Sequence, residues 1–359
     1  LSRTINSDKR YYLDENTIEN TASFLQTMRV FNDAKMDLYN ALYDQKYLAS
    51  GPLIDHAYPV FLKEKYKTND YYNAAIYSAA SGSISSQKEL KKYYSTTITA
   101  DLKTRDEKIQ TIQEALDKKK AVKNSIRIYR KDGRWITPYP RCQLKVKGLM
   151  IVLFNKTIVK LDEYERSVEA DIRKLKTRLA LVTEARKRKE KKLENIKNLP
   201  PERIVFGGKK LYSEKDTVGI TKSAEDNKTS QKALKEWKQD FFEKRHQSMA
   251  LPGRHTSKYG NFLCKYDGKD LSVTCIDGTT TVFHDFKLPR YNEAFQRNFT
   301  CKPEDRQSLC YNFTVKRDRK NRQYIIVSVT MKLQAYENSY YGNGAISMDI
   351  NYDHFALAE

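Results

Sequence analysis

One carboxylate near the end of the chain is a candidate ligand for a metal ion. Residues 345–350 form a short apolar run, which predicts a buried strand with Asp349 close to its end. Polar residues 351–353 then indicate a tight turn before a second strand. Sites that hold two divalent metal ions collect such carboxylates from separate strands. The pattern therefore offers one ligand of a larger site, and we expect the nearby His354 to be a surface residue.

Clustered cations are the second feature with chemical meaning. The 359 residues contain 66 lysines and arginines against 45 acidic residues, a net charge of +21. This excess favours a polyanionic partner, most often a nucleic acid, because phosphate contacts then supply much of the affinity. The 25 tyrosines offer rings on which bases could stack. A ribosome-associated or merely basic protein is the alternative.

Seven cations are the candidates for contact with a nucleic-acid backbone. They are Arg186, Lys187, Arg188, Lys189, Lys209, Lys210 and Arg254. For the first four, a solvated coiled-coil arm is the alternative interpretation. For the next two, which follow Gly207-Gly208, an ordinary turn is the alternative to a phosphate-binding loop.

Composition also argues against several classes of protein. No run of 18 apolar residues is present, so no membrane-spanning helix and no membrane partner are expected. There is no signal-peptide pattern. The five cysteines contain no CxxC pair, which disfavours a zinc site and favours a reduced, cytoplasmic protein.

Hydrophobic periodicity predicts a helical first half. In residues 17–48, apolar side chains recur at helical spacing from Phe24 to Leu42, interrupted by Lys35. Short helices are expected around residues 74–80 and 89–94, and another over 101–122. Residues 157–198 have the clearest pattern, with apolar positions at steps of three and four from Leu161 to Val182. Prolines 200 and 201 end this helix.

The second half changes to a period of two. Residues 261–266, 271–275 and 279–286 are predicted strands, separated by Asp267-Gly268 and Asp277-Gly278, which are strong hairpin signals. Residues 311–315 and 323–331 form a further predicted hairpin. Residues 213–232 are expected to be a loop, and residues 233–248 a helix. We expect these strands to form a small barrel or meander of about five strands.

This order of elements, together with four short motifs, resembles the TnpB family of transposon-encoded RNA-guided nucleases and the related type V CRISPR effectors. The motifs are Thr27-Met28-Arg29-Val30-Phe31-Asn32, the segment from Ile204 to Tyr212 that contains Phe206-Gly207-Gly208-Lys209-Lys210, the pairs Gly253-Arg254 and Gly260-Asn261 with Leu271-Ser272-Val273, and Ile346-Ser347-Met348-Asp349-Ile350-Asn351. The last is similar to the first motif of an RNase H-like (RuvC) nuclease. Together the motifs span about 320 residues.

The resemblance implies an α+β multidomain fold. Residues 1–14 would begin the wedge domain, although no strand is obvious before Tyr11; residues 15–200 would form a helical recognition lobe, 201–340 a β-barrel wedge domain, and 341–359 the opening of the RuvC-like domain. Asp349 would be the first catalytic, metal-binding carboxylate, with Mg²⁺ as the cofactor. The remaining acids and the zinc ribbon of the family are absent from these residues, so we expect the front portion of a larger nuclease.

The implied activity is RNA-guided DNA cleavage by metal-dependent phosphodiester hydrolysis. A structured guide RNA and a double-stranded DNA target with a short adjacent motif would be the partners, in the bacterial cytoplasm and at the nucleoid during action. Three alternatives remain: a type V CRISPR effector, a nuclease-inactive RNA-guided repressor, and a non-enzymatic RNA-binding protein with a coiled-coil arm. Neither the guide nor the oligomeric state follows from the sequence.

Overall fold

The computed structural model describes residues 2–49, 57–218, 224–333, 347–350 and 355–358. In chain order the elements are β1 Ser2–Asn6, β2 Tyr11–Tyr12, α1 Thr21–Tyr43, α2 Tyr58–Tyr66, α3 Asp70–Asp132, β3 Lys145–Lys147, β4 Met150–Val152, β5 Ile158–Lys160, α4 Leu161–Asn198, α5 Lys209–Ser213, α6 Lys215–Val218, α7 Ala224–His246, β6 Ser248–Leu251, β7 Cys264–Tyr266, β8 Leu271–Thr274, β9 Thr280–Phe283, α8 Asn292–Thr300, β10 Cys310–Arg317, β11 Gln323–Lys332, β12 Ser347–Ile350 and β13 Phe355–Ala358.

The chain divides into two compact units. The first, which we call the sheet unit, comprises Leu1–Ser83 and Arg203–Glu359. The second, which we call the arm, comprises Ile84–Glu202. The boundary between them falls inside α3, a 63-residue helix. Short separate helices were predicted around residues 74–80, 89–94 and 101–122, and this prediction was wrong, because one continuous helix contains all three.

An open antiparallel sheet forms the centre of the sheet unit. Its order is β1-β11-β10-β6, with β2 also paired to β11. The strand β1 lies antiparallel to β11, with Ser2 opposite Lys332 and Asn6 opposite Ser328. A first strand was therefore missed by the sequence analysis, because the pattern of Ser2–Asn6 has little apolar content and its partner is more than 300 residues away.

The two hairpins predicted at the Asp-Gly pairs form a second sheet, whereas the hairpin predicted over residues 311–331 is β10–β11 of the first sheet. In the second sheet, β8 pairs with β7 and β9, and the Asp-Gly pairs provide the turns between these strands. Gly268 and Gly278 have φ values of +107° and +85°, a backbone region that glycine enters without a steric penalty. Among the described residues, the two sheets remain open, so of the barrel or meander expected from the sequence, the barrel is wrong. An apolar period of two predicts strands but not their closure, which depends on pairing between distant strands.

Helix α1 supplies the core between these sheets. Its predicted apolar stripe is confirmed, since Phe24, Met28, Phe31, Leu38 and Leu42 are all buried. The ring of Phe24 makes edge contacts with Phe283 of β9 and Phe313 of β10, with centroids 5.2 and 5.1 Å apart. Such edge-to-face pairs contribute about 0.5–1.5 kcal/mol each beyond the area that they bury.

The arm is a pair of long helices capped by a small sheet. Its core contains Leu116 and Ile126 of α3 with Val168 and Ile172 of α4, and further apolar residues pack around them. These α4 residues belong to the periodic series that predicted the helix. The prediction is confirmed for Leu161–Asn198, whereas residues 158–160, also expected in this helix, form β5. At 1.5 Å per residue α4 is about 57 Å long.

A three-stranded sheet of β3, β4 and β5 lies at one end of the arm. Buried Ile151 and half-buried Val146 and Val159 stand opposite one another on its inner face and pack on the arm core. The sequence analysis assigned no structure to residues 145–156, because strands of three residues are too short to show a period of two.

Two further expectations concern short segments. The loop predicted over residues 213–232 was wrong in part, since α6 covers Lys215–Val218 and α7 starts at Ala224. Near the end of the chain, β12 and β13 pair antiparallel, with Asp349 opposite Ala356. The strand predicted around Asp349 and the second strand after it are thereby confirmed at the level of the backbone, and the turn predicted over residues 351–353 lies outside the described residues.

Candidate nucleic-acid interface

The positive charge of the chain is concentrated in the arm. Residues 84–202 contain 31 lysines and arginines against 16 acidic residues, so the arm carries +15 of the total of +21. Lys and Arg are rarely buried because desolvating their charge is costly. The chain therefore places most of its excess charge on the surface of one elongated element, and this is the arrangement expected for contact with a polyanion.

Part of this charge is used to join the two helices. Arg186 Nε donates to Asp106 Oδ1 at 2.5 Å, and Lys189 Nζ lies 3.1 Å from Asp101 Oδ2. Further pairs between the helices are Lys119–Asp171, Lys123–Glu169 and Arg130–Glu165, each at 2.7 Å. These contacts align α4 against α3, so Arg186 and Lys189 act as links between helices.

These ion pairs between the helices shift the pKa values of the groups that form them. The hydrogen bond from Lys189 holds the pKa of Asp101 below its usual value, and the hydrogen bond from Lys123 does the same for Glu169. The hydrogen bond to Asp106 raises the pKa of Arg186. A phosphate that approached Arg186 or Lys189 would have to compete with a carboxylate that is already bound.

The other two cations of the predicted cluster differ from each other. Arg188 pairs with Glu184 one turn earlier, at 3.4 Å. Lys187 is exposed and forms no ion pair with any residue that the structure describes, and the same holds for Lys191 and Lys192. Lys187 and Lys191 lie one turn apart on the same side of α4. Within this run, the unpaired lysines are the groups available to phosphates.

Lys209 and Lys210 lie in a different environment, in the sheet unit. They begin α5, a helix of five residues, directly after Gly207 and Gly208. A Cβ atom on Gly207 would lie 2.9 Å from side-chain atoms of Phe241 and of Arg245. Close packing against α7 therefore accounts for this glycine, which favours the interpretation as a turn. Both lysines are exposed.

Arg254 lies beside a cleft of about 200 Å³ in the sheet unit. The cleft is lined by small residues of α3, by Arg254, and by the rings of Tyr71 and Phe262, which stack with centroids 4.6 Å apart and planes 18° apart. Tyr71 is 46% exposed. An exposed arginine beside an exposed aromatic face offers both a phosphate contact and a stacking surface.

The loop that carries Arg254 is held by tight backbone packing. A Cβ on Gly253 would meet the carbonyl oxygen of Gly260 at 2.3 Å and the backbone of Leu309 at 2.4 Å, which leaves no room for a larger residue. Buried Asn261 donates to the carbonyl oxygens of Leu251 and Leu309, at 3.0 and 3.1 Å. This scaffolding positions Arg254 on a rigid loop.

Other residues of the quoted motifs also support the fold. Asn32 is fully buried and donates to the carbonyl oxygens of Met28 and Ser248 at 2.8 and 2.9 Å. Thr27 accepts a hydrogen bond from the backbone N–H of Ile276 at 3.1 Å. Arg29 lies over the ring of Phe242, 4.5 Å from its centroid. These motif residues hold α1 to its neighbours within the sheet unit.

Asp349 lies on β12, but its side chain is outside the described residues. Within the described part of the chain, no group of three or more His, Cys, Asp or Glu side chains could hold a metal ion. The residues that the structure describes therefore do not fit a complete Mg²⁺ site. His354, which was expected to be a surface residue, also lies outside the described residues.

Sequence reasoning missed several cations that the structure makes prominent. Lys145, Lys147 and Lys160 are exposed on β3 and β5 at the end of the arm, without ion pairs to the described residues. Their signal in the sequence is the alternation Lys-Val-Lys, which is typical of a strand with one solvated face. That signal is too short to be distinguished from chance.

None of the described helices combines the length and the apolar character needed to cross a membrane.

Comparisons with known proteins identify no relative of this chain. No family model, no curated protein and no solved structure matches the chain, so the resemblance to the TnpB family stays a prediction.

Proposed function

We propose that this chain is the nucleic-acid-binding part of an RNA-guided DNA endonuclease. The observation that carries the proposal is the net charge of +15 on the arm. Only eight of its 31 cations form ion pairs with described carboxylates. The unpaired majority is available to neutralise phosphates along an element about 57 Å long.

A guided nuclease needs this type of surface. The guide RNA reads the target by base pairing, so the protein must hold the backbones of RNA and DNA and does not need a code for the bases. Lysines spread along a helix suit that task, because phosphate contacts position a nucleic acid without reading its sequence. The cleft beside Arg254 would add a contact on the sheet unit, with Tyr71 as a stacking surface.

The nuclease activity is the finer part of the proposal and rests on the resemblance. The pairing of β12 with β13 agrees with a strand that presents a carboxylate near its end. Asp349 would be one oxygen ligand of Mg²⁺, an ion that prefers such ligands. Two or more further carboxylates would have to join it, and they do not come together among the described residues.

Sequencing of the RNA that co-purifies with the protein, expressed from its native locus, tests the guided function. We expect one abundant structured RNA that ends in a variable segment. A transposon-end segment would identify a TnpB-type effector, and a repeat-derived segment a CRISPR effector. Bulk ribosomal or heterogeneous RNA would overturn the guided function and leave a general RNA-binding protein.

The nuclease function has its own test in the parent protein. Asp349→Ala is expected to abolish DNA cleavage while the amount of bound RNA is unchanged. Asp353→Ala, four residues later in the sequence, is the matched control and should still cleave. If Asp349→Ala cleaves at the wild-type rate, Asp349 is not a metal ligand. If neither the wild type nor the control cleaves but both bind target DNA, the protein is a nuclease-inactive binder.

A further inference from the structure

The small sheet at the end of the arm has an outer face of unusual composition. Side chains of directly opposed residues share a face in an antiparallel sheet. One outer row is Lys145, Val152 and Ile158, and the next is Lys147, Met150 and Lys160. Each row thus combines lysine with apolar side chains. We call this surface the tip face.

Exposed apolar residues also lie in the two turns that flank these rows, and we include them in the tip face. Ile158 is 60% exposed, Leu149 in the β3–β4 turn is 81% exposed, and Phe154 in the β4–β5 turn is 77% exposed. The β4–β5 turn is closed by hydrogen bonds between Leu153 and Thr157 at 2.9 Å and from Lys156 N–H to the Leu153 carbonyl at 3.0 Å. Phe154 lies in this turn and is not part of the arm core, so packing within the arm does not account for an aromatic ring at this position.

We infer that the tip face binds a single-stranded nucleic acid, with unstacked bases against Phe154 and its apolar neighbours and phosphates on Lys145, Lys147 and Lys160. Base–aromatic stacking combined with backbone contacts by cations is the general mode of single-strand binding. Three-stranded or larger sheets with exposed aromatic residues present bases in this way. No site of this kind is needed for the arm to fold, since its core packs on the opposite face.

The composition of the tip face favours a single strand over other anionic partners. A duplex hides its bases inside the stack, so it would leave Phe154 and Leu149 exposed to water. An anionic membrane would cover the apolar residues, but it would contact only the end of the arm. Unpaired cations such as Lys187 and Lys191 continue along α4, and a polymer that leaves the tip face can follow them.

This inference deepens the proposed function and depends on it only in that the partner is a nucleic acid. Its test uses synthetic DNA, so it needs neither a guide RNA nor cleavage. The full chain is titrated into a fluorescently labelled 20-nucleotide single strand and into the corresponding duplex. Phe154→Ala should weaken single-strand binding about fivefold to 100-fold and change duplex binding less than twofold.

Matched variants keep the result interpretable. Leu181→Ala removes another exposed apolar side chain of the arm, 67% exposed on α4, and should leave single-strand binding unchanged. Phe154→Trp should restore it, because a ring is present again. Replacing Lys145, Lys147 and Lys160 by alanine should lower the salt dependence of single-strand binding by about 2 in log–log slope.

Two results would overturn the inference. One is an equal effect of Phe154→Ala on single strand and duplex, which would remove the role of stacking. The other is loss of binding to vesicles of phosphatidylserine in Phe154→Ala with unchanged binding to the single strand, which would make the tip face a membrane contact.

Discussion

Replacing Lys187 and Lys191 by alanine tests whether the unpaired cations of the arm hold a nucleic acid. Both side chains are exposed and have no ion-pair partner among the described residues. Arg186 and Lys189, in the same run, are bound to Asp106 and Asp101 of α3. Two double variants, Lys187→Ala/Lys191→Ala and Arg186→Ala/Lys189→Ala, therefore remove the same formal charge from the same turns of α4 but from different environments.

The expected magnitude follows from counterion release. Each phosphate that a lysine neutralises contributes about 0.7 to 0.9 to the slope of log K against log salt concentration. Loss of two contacts should lower that slope by about 1.4 to 1.8. Between 50 and 200 mM salt, the affinity of the wild type should consequently fall about tenfold more than that of Lys187→Ala/Lys191→Ala. The fold should be unaffected, because alanine has the higher helix propensity.

The variant Arg186→Ala/Lys189→Ala, which we call the paired variant, should lose stability and keep the salt slope of the wild type. Loss of Arg186 and Lys189 leaves Asp106 without its partner on α4 and Asp101 with Arg105 of its own helix. It removes two links between the helices, so the thermal midpoint of unfolding should fall. The salt slope should change little, since these two side chains hold carboxylates. Fluorescence anisotropy with a labelled RNA at four salt concentrations measures the slope, and circular dichroism measures the thermal midpoint.

The reasoning is refuted if the paired variant lowers the salt slope as much as Lys187→Ala/Lys191→Ala, the unpaired variant. Such a result would mean that the helix-linking ion pairs open when the nucleic acid binds. It is also refuted if the unpaired variant keeps the wild-type slope, because Lys187 and Lys191 would then make no phosphate contact.

Three further predictions concern stability. A Cβ at Gly82 in α3 meets no atom within 4 Å, so Gly82→Ala should raise the free energy of unfolding by about 0.5–1 kcal/mol. Gly253→Ala places a Cβ 2.3 Å from a carbonyl oxygen and should prevent stable folding. Urea unfolding of the two variants measures both effects. The hydrogen bond to Asp270 raises the pKa of His284. Its stabilising effect is complete below the unfolded pKa of about 6.5 and is lost as pH rises through the raised value, so the stability advantage of the wild type over His284→Gln should be larger at pH 6 than at pH 9. Burial lowers the pKa of Lys35 to about 8. Since one pKa unit is worth about 1.4 kcal/mol, the stability of the wild type should rise by up to about 3 kcal/mol between pH 8 and 10.5 as this lysine loses its charge. Lys35→Met should remove that rise, and an unchanged pH profile would contradict this.

Local periodicity and turn chemistry were sufficient to predict several elements. The apolar steps from Leu161 to Val182 predicted α4, because one face of a helix must be apolar to pack. The pairs Asp267-Gly268 and Asp277-Gly278 predicted the β7–β8 and β8–β9 turns, because only a few residues adopt the backbone of a tight hairpin. In each case the signal lies within a few residues of the element.

For the candidate site, the sequence predicted which residues are basic but not which partners they bind. The sequence showed that residues 186–192 are basic, but all six cations look alike in a list of residues. The structure separated Arg186 and Lys189, which are bound across the helix pair, from Lys187, which is unpaired. Partner carboxylates at positions 101 and 106 are about 80 residues away, so no local pattern identifies them.

The sequence by itself determined the basic character of the protein, its helical first half and its hairpins. Only the tertiary structure decided that β1 pairs with β11, that the sheets stay open, that α3 is continuous, and that a basic and apolar face lies at the end of the arm. The physical reason is the range of the interactions. Helix periodicity and turn conformation depend on neighbours in sequence, whereas strand pairing, ion pairs between helices and the exposure of Phe154 depend on residues that meet only in the folded chain.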